Sequence, residues 1–554
     1  MSDTPKIKLG NGYWFLKKSG LLAYREYIGG RKDTIFEPIK FDVARATSAT
    51  RINKLGIMEL VDSNIPRIDF LNSDKGKSLV QIQATNKITR SSQLSLIPIT
   101  SVKITITDNQ TTSPDGSLNA SIIEVNATDQ QYFGQSISDV GDKVISAFVK
   151  YNGSATKFYI GYFSTTNDVA NATFNIQNGT ILSQVTGSTN NKILENSGIE
   201  DYGNGWYRCW VHISGSSGVV AYGIVTDDST SYIPAPSVTG INLFVWGLQY
   251  ELGKSPTSYI PTSGAAVTRN LDLPILNSIE DFYNQIEGTF YMEFDYTVTT
   301  GTRYFMSLFN GTPFTRVRTT NGISIQIEMY DGSLFLTQFN KTTGNQLVNG
   351  RNKVAWSYKA GEQVSICING DNSEGGGVVA SFPLYNIMNL GQYNSSGQGA
   401  TDGIYDFRYY DYKMTNTEIE TLTTPITEIV RVPKISGDAF IGVTLTISQF
   451  ADWTTGLNGT VSGSYVWQSS SNGSSWTNIS GTDNVSTYTI VQSDLNKYIR
   501  VNQTITDGTT TDIKGSIPTS IVRDLLNVVQ PLFTTAGYTS ISEAGEQRVI
   551  NEIL

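Results

Sequence analysis

Along most of this chain apolar residues recur with a period of two, and clusters of Gly, Asn, Ser and Thr interrupt them at short intervals. That is the mark of short, half-buried strands joined by tight turns. Between residues 91 and 273 the pattern predicts strands over 101–107, 121–125, 143–150, 157–163, 173–176, 206–214, 219–225 and 241–252. Between 274 and 426 it predicts 288–296, 303–309, 324–329, 333–338, 352–358, 362–368 and 378–382, with a turn at Asn369-Gly370. A strand from Gly403 leads into Thr415, and Glu418 three residues later completes a capping box for a short helix. Residues 427–525 read as a small β module around Trp467, and 526–554 as a tail. Two short helices are expected at that end, over 521–529 and 542–554, split by Pro531 and Gly537. Residues 1–90 are irregular hairpin text, too small and polar to bury a core alone, so they are expected to rest against another domain or another copy. The class is all-β, with tandem two-sheet sandwiches.

Composition narrows what such a chain does. Its 554 residues exceed what one core organises, and a net charge of −9 excludes a nucleic-acid or anionic-membrane binder. A single His excludes a multi-histidine metal site. Cys209 and Cys367 fall in different predicted domains and are expected as buried free thiols, which suits folding in a reducing cytoplasm. No apolar stretch reaches the roughly 20 residues that span a bilayer, and the N-terminus has no apolar core of a secretory signal. No membrane insertion is expected. Charged residues make up 16% of the chain and aromatic ones 11%, with 29 Tyr and 23 Phe, which points to display of surface shape rather than to a helical enzyme.

Three stretches carry resemblances. Phe41, Arg45, Ala46, Ala49, Thr50, Arg51, Asn53, Gly56, Glu59 and Val61, followed by Asn64, Pro66, Arg67, Ile68 and Asp69, match a leader found in bacteriophage fibre and appendage proteins. Thr47 replaces a Ser of that pattern, and 78–86 lack its Glu-Pro. Gly205-Trp206-Tyr207-Arg208, then Trp246-Gly247, Gln249, Glu251, Gly253 and Ser258-Tyr259-Ile260-Pro261-Thr262, resemble the carbohydrate-binding-module-like jelly rolls that follow this leader. The closing strand Gly403-Ile404-Tyr405-Asp406-Phe407-Arg408 with its helix resembles concanavalin-like and laminin-G-like sandwiches. Trp467, Trp476 and Asp494-Leu495-Asn496-Lys497-Tyr498-Ile499-Arg500-Val501 resemble a bacterial and phage Ig-like repeat without its cysteine pair.

The resemblances imply a fibre- or adhesin-type virion protein, a homotrimer folded in the host cytoplasm, that holds host surface polysaccharide. The leader residues Phe41, Arg45, Arg51, Pro66, Arg67 and Asp69 would attach it to other virion proteins, so removing 1–90 should leave the sandwiches folded. Loop aromatics Tyr330, Tyr385 and Tyr393 are the glycan-contact candidates. Trp206 and Trp246 read as core, and His212 as a satisfied strand histidine. No cofactor or metal is expected: Asp371, Asp402, Asp406 and Asp411 are scattered and form no calcium loop. Nucleophile-elbow, phosphate-loop and dinucleotide motifs are absent, and no enzyme is expected. Two alternatives stand beside this reading. One is a polysaccharide depolymerase using Glu293 and Asp295, which share a strand face about 7 Å apart. The other is an architectural component without a ligand.

Overall fold

The computed structural model describes residues 7–524 except 11–14, 18–19, 27–35, 72–75, 98–102, 166–167, 190, 227–234, 281, 394–398, 400–401 and 455–459, with backbone alone before Phe41. Of the expected tail helices, residues 521–524 are described and not helical, with Arg523 bridging to Phe440, and the rest lies outside the described residues. The chain forms two compact units, residues 1–423 (less 72–74) and the remainder.

The first sandwich of the larger unit faces a six-stranded antiparallel sheet against a five-stranded one. Ile104–Thr112, Leu118–Val125, Asn242–Leu252, Lys143–Lys150, Trp206–Gly215 and Lys192–Gly203 make the six. Ser136–Ile137, Gly218–Val225, Lys157–Thr165, Asp168–Asn175 and Thr180–Thr186 make the five. Alternation decides the faces. Along Trp206–Gly215, Cys209, Val211 and Ile213 enter the core between the sheets, while Trp206 turns outward into a separate apolar cluster. The predicted turn is realised at Asn204 and Gly205, both at positive φ, between Gly203 and Trp206. Thr180–Thr186 and Lys192–Gly203 were not expected as strands. Both lie at sheet margins and are largely polar, so period-two patterning leaves little trace in them.

In the second sandwich, one sheet runs Asp371–Gly375, Val364–Ile368, Gly350–Lys359, Glu287–Tyr296, Gly403–Tyr410, Ile7–Gly10, Gly20–Glu26 and Phe36–Ala44. The facing sheet runs Phe36–Ala44, Leu273–Asn277, Ile387–Leu390, Arg303–Phe309, Phe314–Thr319, Ile325–Tyr330 and Phe335–Lys341. Phe36–Ala44 serves both: residues 36–41 pair with Gly20–Glu26, and Asp42, Val43 and Ala44 pair with Leu273–Asn277. The N-terminal strands are therefore part of this sandwich, and Phe41 and Val43 sit in its core. A segment that ends at residue 90 and stands apart from the sandwiches is not what the structure has. The expected strand at 378–382 is irregular; Ile387–Leu390 takes the place in the sheet. The capping box forms as expected: the Thr415 amide donates to Glu418 Oε2 (2.7 Å), and the Glu418 amide to Thr415 Oγ1 (3.3 Å).

Residues 45–96 tie the two sandwiches together. The hairpin Ala49–Ile52/Met58–Val61 lays Ile52 and Met58 over Trp206, Trp246 and Tyr259. Ser78 pairs with Ile404 of the second sandwich, and Ala84–Asn86 pairs with Val267–Arg269.

The smaller unit is a compact β module. A four-stranded sheet, Thr477–Asn478, Ser462–Ser470, Tyr498–Thr506 and Thr511–Gly515, and a three-stranded one, Lys434–Ser436, Thr444–Gln449 and Thr487–Thr489, enclose Trp467 with Leu445, Ile447, Ile490, Ile499 and Val501. The Trp467 indole donates to the Val485 carbonyl at 2.9 Å, so its polar edge is satisfied. Asp494 accepts from the Tyr488 hydroxyl and the Val491 amide, which accounts for an acid at that position.

Candidate functional site

The leader residues that would face a particle face inward instead. Arg45, Arg67 and Arg269, each no more than 1% exposed, surround the single carboxylate of Asp272. Arg45 Nη1 lies 2.9 Å from Asp272 Oδ1, Arg67 bonds Oδ2, and Arg269 Nη1 lies 3.6 Å from it. Arg45 also donates to the Thr47 and Ile65 carbonyls, and Arg67 to Thr50 and to Ser258 of the jelly-roll closing motif. Burial alone would raise the Asp272 carboxyl, but Arg67 and Arg269 outweigh it and hold it below the usual range. Burial and Arg67 push the Arg269 guanidinium down to about 10.

Asp69 is buried and accepts from the Ile52 and Leu71 amides, while Phe41 and Pro66 are buried as well. Only Arg51 is partly exposed, paired with Glu59. This motif is an internal clasp. So is the jelly-roll closing motif: Glu251 accepts from the Thr257 amide and hydroxyl, Gln249 from the Ile260 amide, and Thr262 donates to the Ile88 carbonyl. Gly247 has φ +62, and a Cβ there would meet the Phe148 ring at 2.7 Å.

The three tyrosines separate. Tyr385 is fully buried in the second sandwich, its hydroxyl 2.7 Å from Thr315 Oγ1, so it is a core residue and not a loop contact. Tyr330 and Tyr393 are half-buried, and each ring neighbours Phe314 on the outer face of the sheet. They belong to a cluster that the sequence pattern did not reveal. Ring centroids of Phe314 and Tyr330 are 5.2 Å apart, as are those of Tyr330 and Phe335, and Tyr393 lies 6.4 Å from Phe314. The Arg316 guanidinium is sandwiched, 3.7 Å from the Phe314 ring centre and 3.9 Å from that of Tyr393, and it donates to the Tyr393 hydroxyl. The Tyr393 carbonyl is held in turn by Ser307 Oγ (3.0 Å) and Asn389 Nδ2 (2.9 Å).

Local chemistry builds this ridge. Along Phe314–Thr319 the buried positions are Thr315, Val317 and Thr319, so Phe314, Arg316 and Arg318 point outward. The alternation is present in the sequence with its polarity blurred, Thr inside and Phe outside, and the strand escapes a search for apolar period two. Asp331 Oδ1 accepts from the Ser333 and Leu334 amides and closes the turn that delivers Phe335, which is 50% exposed. Beside the rings, Arg318 pairs with Glu328 at 2.6 Å and donates to Gln326 Oε1. The surface thus offers aromatic faces next to fixed donors and acceptors.

The other candidate chemistry is committed elsewhere. Lys77 lies 2.7 Å from Asp295, the Tyr405 hydroxyl 2.8 Å from it, and Arg351 3.5 Å from Glu293. Burial works to raise the Asp295 carboxyl, yet Lys77 holds it below the usual range. Asp371 pairs with Lys341, Asp406 with Arg408, and Asp402 accepts from Thr297. Among the described residues, no three His, Cys, Asp or Glu side chains gather as a metal site. His212 is buried with Nε2 2.9 Å from Asp142. Cys209 and Cys367 are buried in separate sandwiches; burial pushes the first thiol well up and the second to about 11.

No protein-family model and no curated protein matches this chain. Among solved structures, the CBM40 module of a Ruminococcus gnavus IT-sialidase bound to α2,3-sialyllactose is similar at 16% identity, over 26% of this chain and 91% of its own, with a TM-score of 0.22. Domains LG4–5 of the mouse laminin α1 chain are similar at 11% identity over 52% and 88%, TM-score 0.20. The binding domain of botulinum neurotoxin serotype G is similar at 11% identity over 43% and 63%, TM-score 0.25.

Proposed function

We propose that this chain is a fibre- or adhesin-type virion protein of a bacteriophage that holds host surface polysaccharide through the second sandwich. The observation that carries the glycan part is the ridge of Phe314, Tyr330, Phe335 and Tyr393 with Arg316 between two rings. Aromatic faces cover the apolar face of a sugar ring, and adjacent Arg and Glu side chains exchange hydrogen bonds with its hydroxyls. The virion part rests on the resemblance of residues 41–69 to fibre leaders. In this reading the chain is a homotrimer attached to other virion proteins near its N-terminus, and avidity makes up for weak single contacts.

The chain acts by binding in this reading, not by bond cleavage. The carboxylates a depolymerase would use are engaged instead: Lys77 and the Tyr405 hydroxyl hold Asp295, and Arg351 lies 3.5 Å from Glu293. A bacterial-polysaccharide array probed with the full chain tests the proposal. Wild type is expected to bind a subset of glycans, and Phe335→Ala with Tyr330→Ala to lose them while melting unchanged. Identical binding by that variant, or a blank array, sinks the reading.

A further inference from the structure

Between the two sandwiches of the larger unit lies a cleft of about 290 Å³, floored by Gln81 and Ile82 of the connecting segment. We propose that it is a second binding site, for one neutral monosaccharide unit. It is separate from the ridge and does not depend on it.

Both sandwiches contribute polar groups. Asp142 and Lys254 come from the first, and Tyr296, Thr299, Arg303 and Asp402 from the second. Two of these groups are buried and short of partners. Thr299 Oγ1 has no hydrogen-bond partner among the described residues, and the Tyr296 hydroxyl, on a residue only 2% exposed, has at most the Thr299 amide beside it. Leaving buried hydroxyls unpaired is costly, and both residues line the cleft, so a ligand that the wall admits would gain their bonds.

The wall also sets the ligand class. Two carboxylates and two cations line the wall, so its net formal charge is zero and favours neither a cationic nor an anionic ligand. Asp142 is shared between His212 and Lys254, at 2.9 and 3.7 Å, and Lys254 Nζ reaches Thr300 Oγ1 across the junction. Asp402 accepts from Thr297 Oγ1 at 2.9 Å, and Arg303 donates to the Thr302 carbonyl. Carboxylates that accept, beside a guanidinium, an ammonium and hydroxyls that donate, match the paired donor–acceptor hydroxyls of a sugar. Ile82, Ala84, Leu252 and the Tyr296 ring give the wall an apolar side beside its polar groups, as a sugar ring with one apolar face requires. The volume is at the lower end for small-molecule sites.

Saturation-transfer NMR on the full chain with D-glucose, D-galactose, N-acetyl-D-glucosamine and, as the acidic probe, N-acetylneuraminate tests this. At least one neutral sugar is expected to receive saturation, with its Kd raised about tenfold or more in Tyr296→Phe and in Arg303→Gln, the loss typical of one hydrogen bond in a polar site. In the Phe335→Ala background, which removes the ridge's share of the signal, Arg303→Gln is still expected to raise the Kd, which separates this site from the ridge. Arg303 is part-exposed, so its replacement keeps the test valid where Tyr296→Phe alters the melt. The proposal is overturned if no neutral sugar is saturated or if only N-acetylneuraminate is. It also falls if folded Arg303→Gln binds like wild type, or if the signal disappears in Phe335→Ala.

Discussion

Arg45 and Asp272 stand 227 positions apart in the chain and 2.9 Å apart in space, both sealed from solvent. Around that pair three guanidinium groups share one carboxylate, and the connecting segment, the first sandwich and the linker to the second converge on it. Asp272→Asn removes the one negative charge directly bonded to these guanidinium groups. It is expected to cost about 3–5 kcal/mol in chemical denaturation, because the guanidinium groups stay buried without it. Arg51→Ala, which breaks a pair exposed at its edge, should cost no more than about 1 kcal/mol. Equal effects would show that the node is not the clasp.

Acid should attack the same place. The folded Asp272 carboxyl lies below its ordinary value of 3.8, so the stability it adds is complete above that value and is lost as pH falls through the folded pKa. Thermal melts from neutral pH downward are expected to show a steeper loss in wild type than in Asp272→Asn.

Alkaline behaviour has the opposite source. Burial, with Lys192 nearby, lowers Lys143 from 10.5 to about 8. The unfolded chain therefore binds more protons between those values, and this group makes folding more favourable as pH rises from about 8 to about 10.5. In Lys143→Met that rising contribution should vanish, seen as a flatter melting-temperature profile over the same window. A profile parallel to wild type would rule the assignment out.

Deleting residues 1–90 is expected to unfold the larger unit rather than release intact sandwiches. The deletion takes Phe36–Ala44 from both sheets of the second sandwich, Arg45 and Arg67 from Asp272, and Ile52 and Met58 from Trp206 and Trp246. Loss of soluble monodisperse protein, with dye binding to exposed apolar surface, is the expected readout. A well-folded truncated chain would contradict it.

Trp467→Ala is expected to destabilise residues 424–524 by about 3–5 kcal/mol, as a large core truncation does. Denaturation followed by hydrogen exchange should show protection lost there and retained in the core strands of residues 104–410.

Much of the architecture was open to reading because its signals are local. Strands 143–150 and 303–309 have the bounds their alternation implied, and the turns at Asn204-Gly205 and Asn369-Gly370 follow from residues that accept positive φ. The Thr415–Glu418 box needs only three residues of spacing. Trp467 is the core residue its surroundings implied. Edge strands such as Thr180–Thr186 were silent, because an edge with one solvated face has no apolar rhythm to keep.

The sequence by itself determined the β class, the positions of most strands and turns, and the burial of its two cysteines and its lone histidine. Each depends on neighbours within a few residues or on composition. Only the tertiary structure decided that Arg45 and Arg67 of the leader are a buried clasp, that Tyr385 is core while Tyr330 and Tyr393 join Phe314 and Phe335, and that a cleft opens where the sandwiches meet. Those relationships join residues tens to hundreds of positions apart, and chain order leaves no periodic trace of which side chains folding brings together.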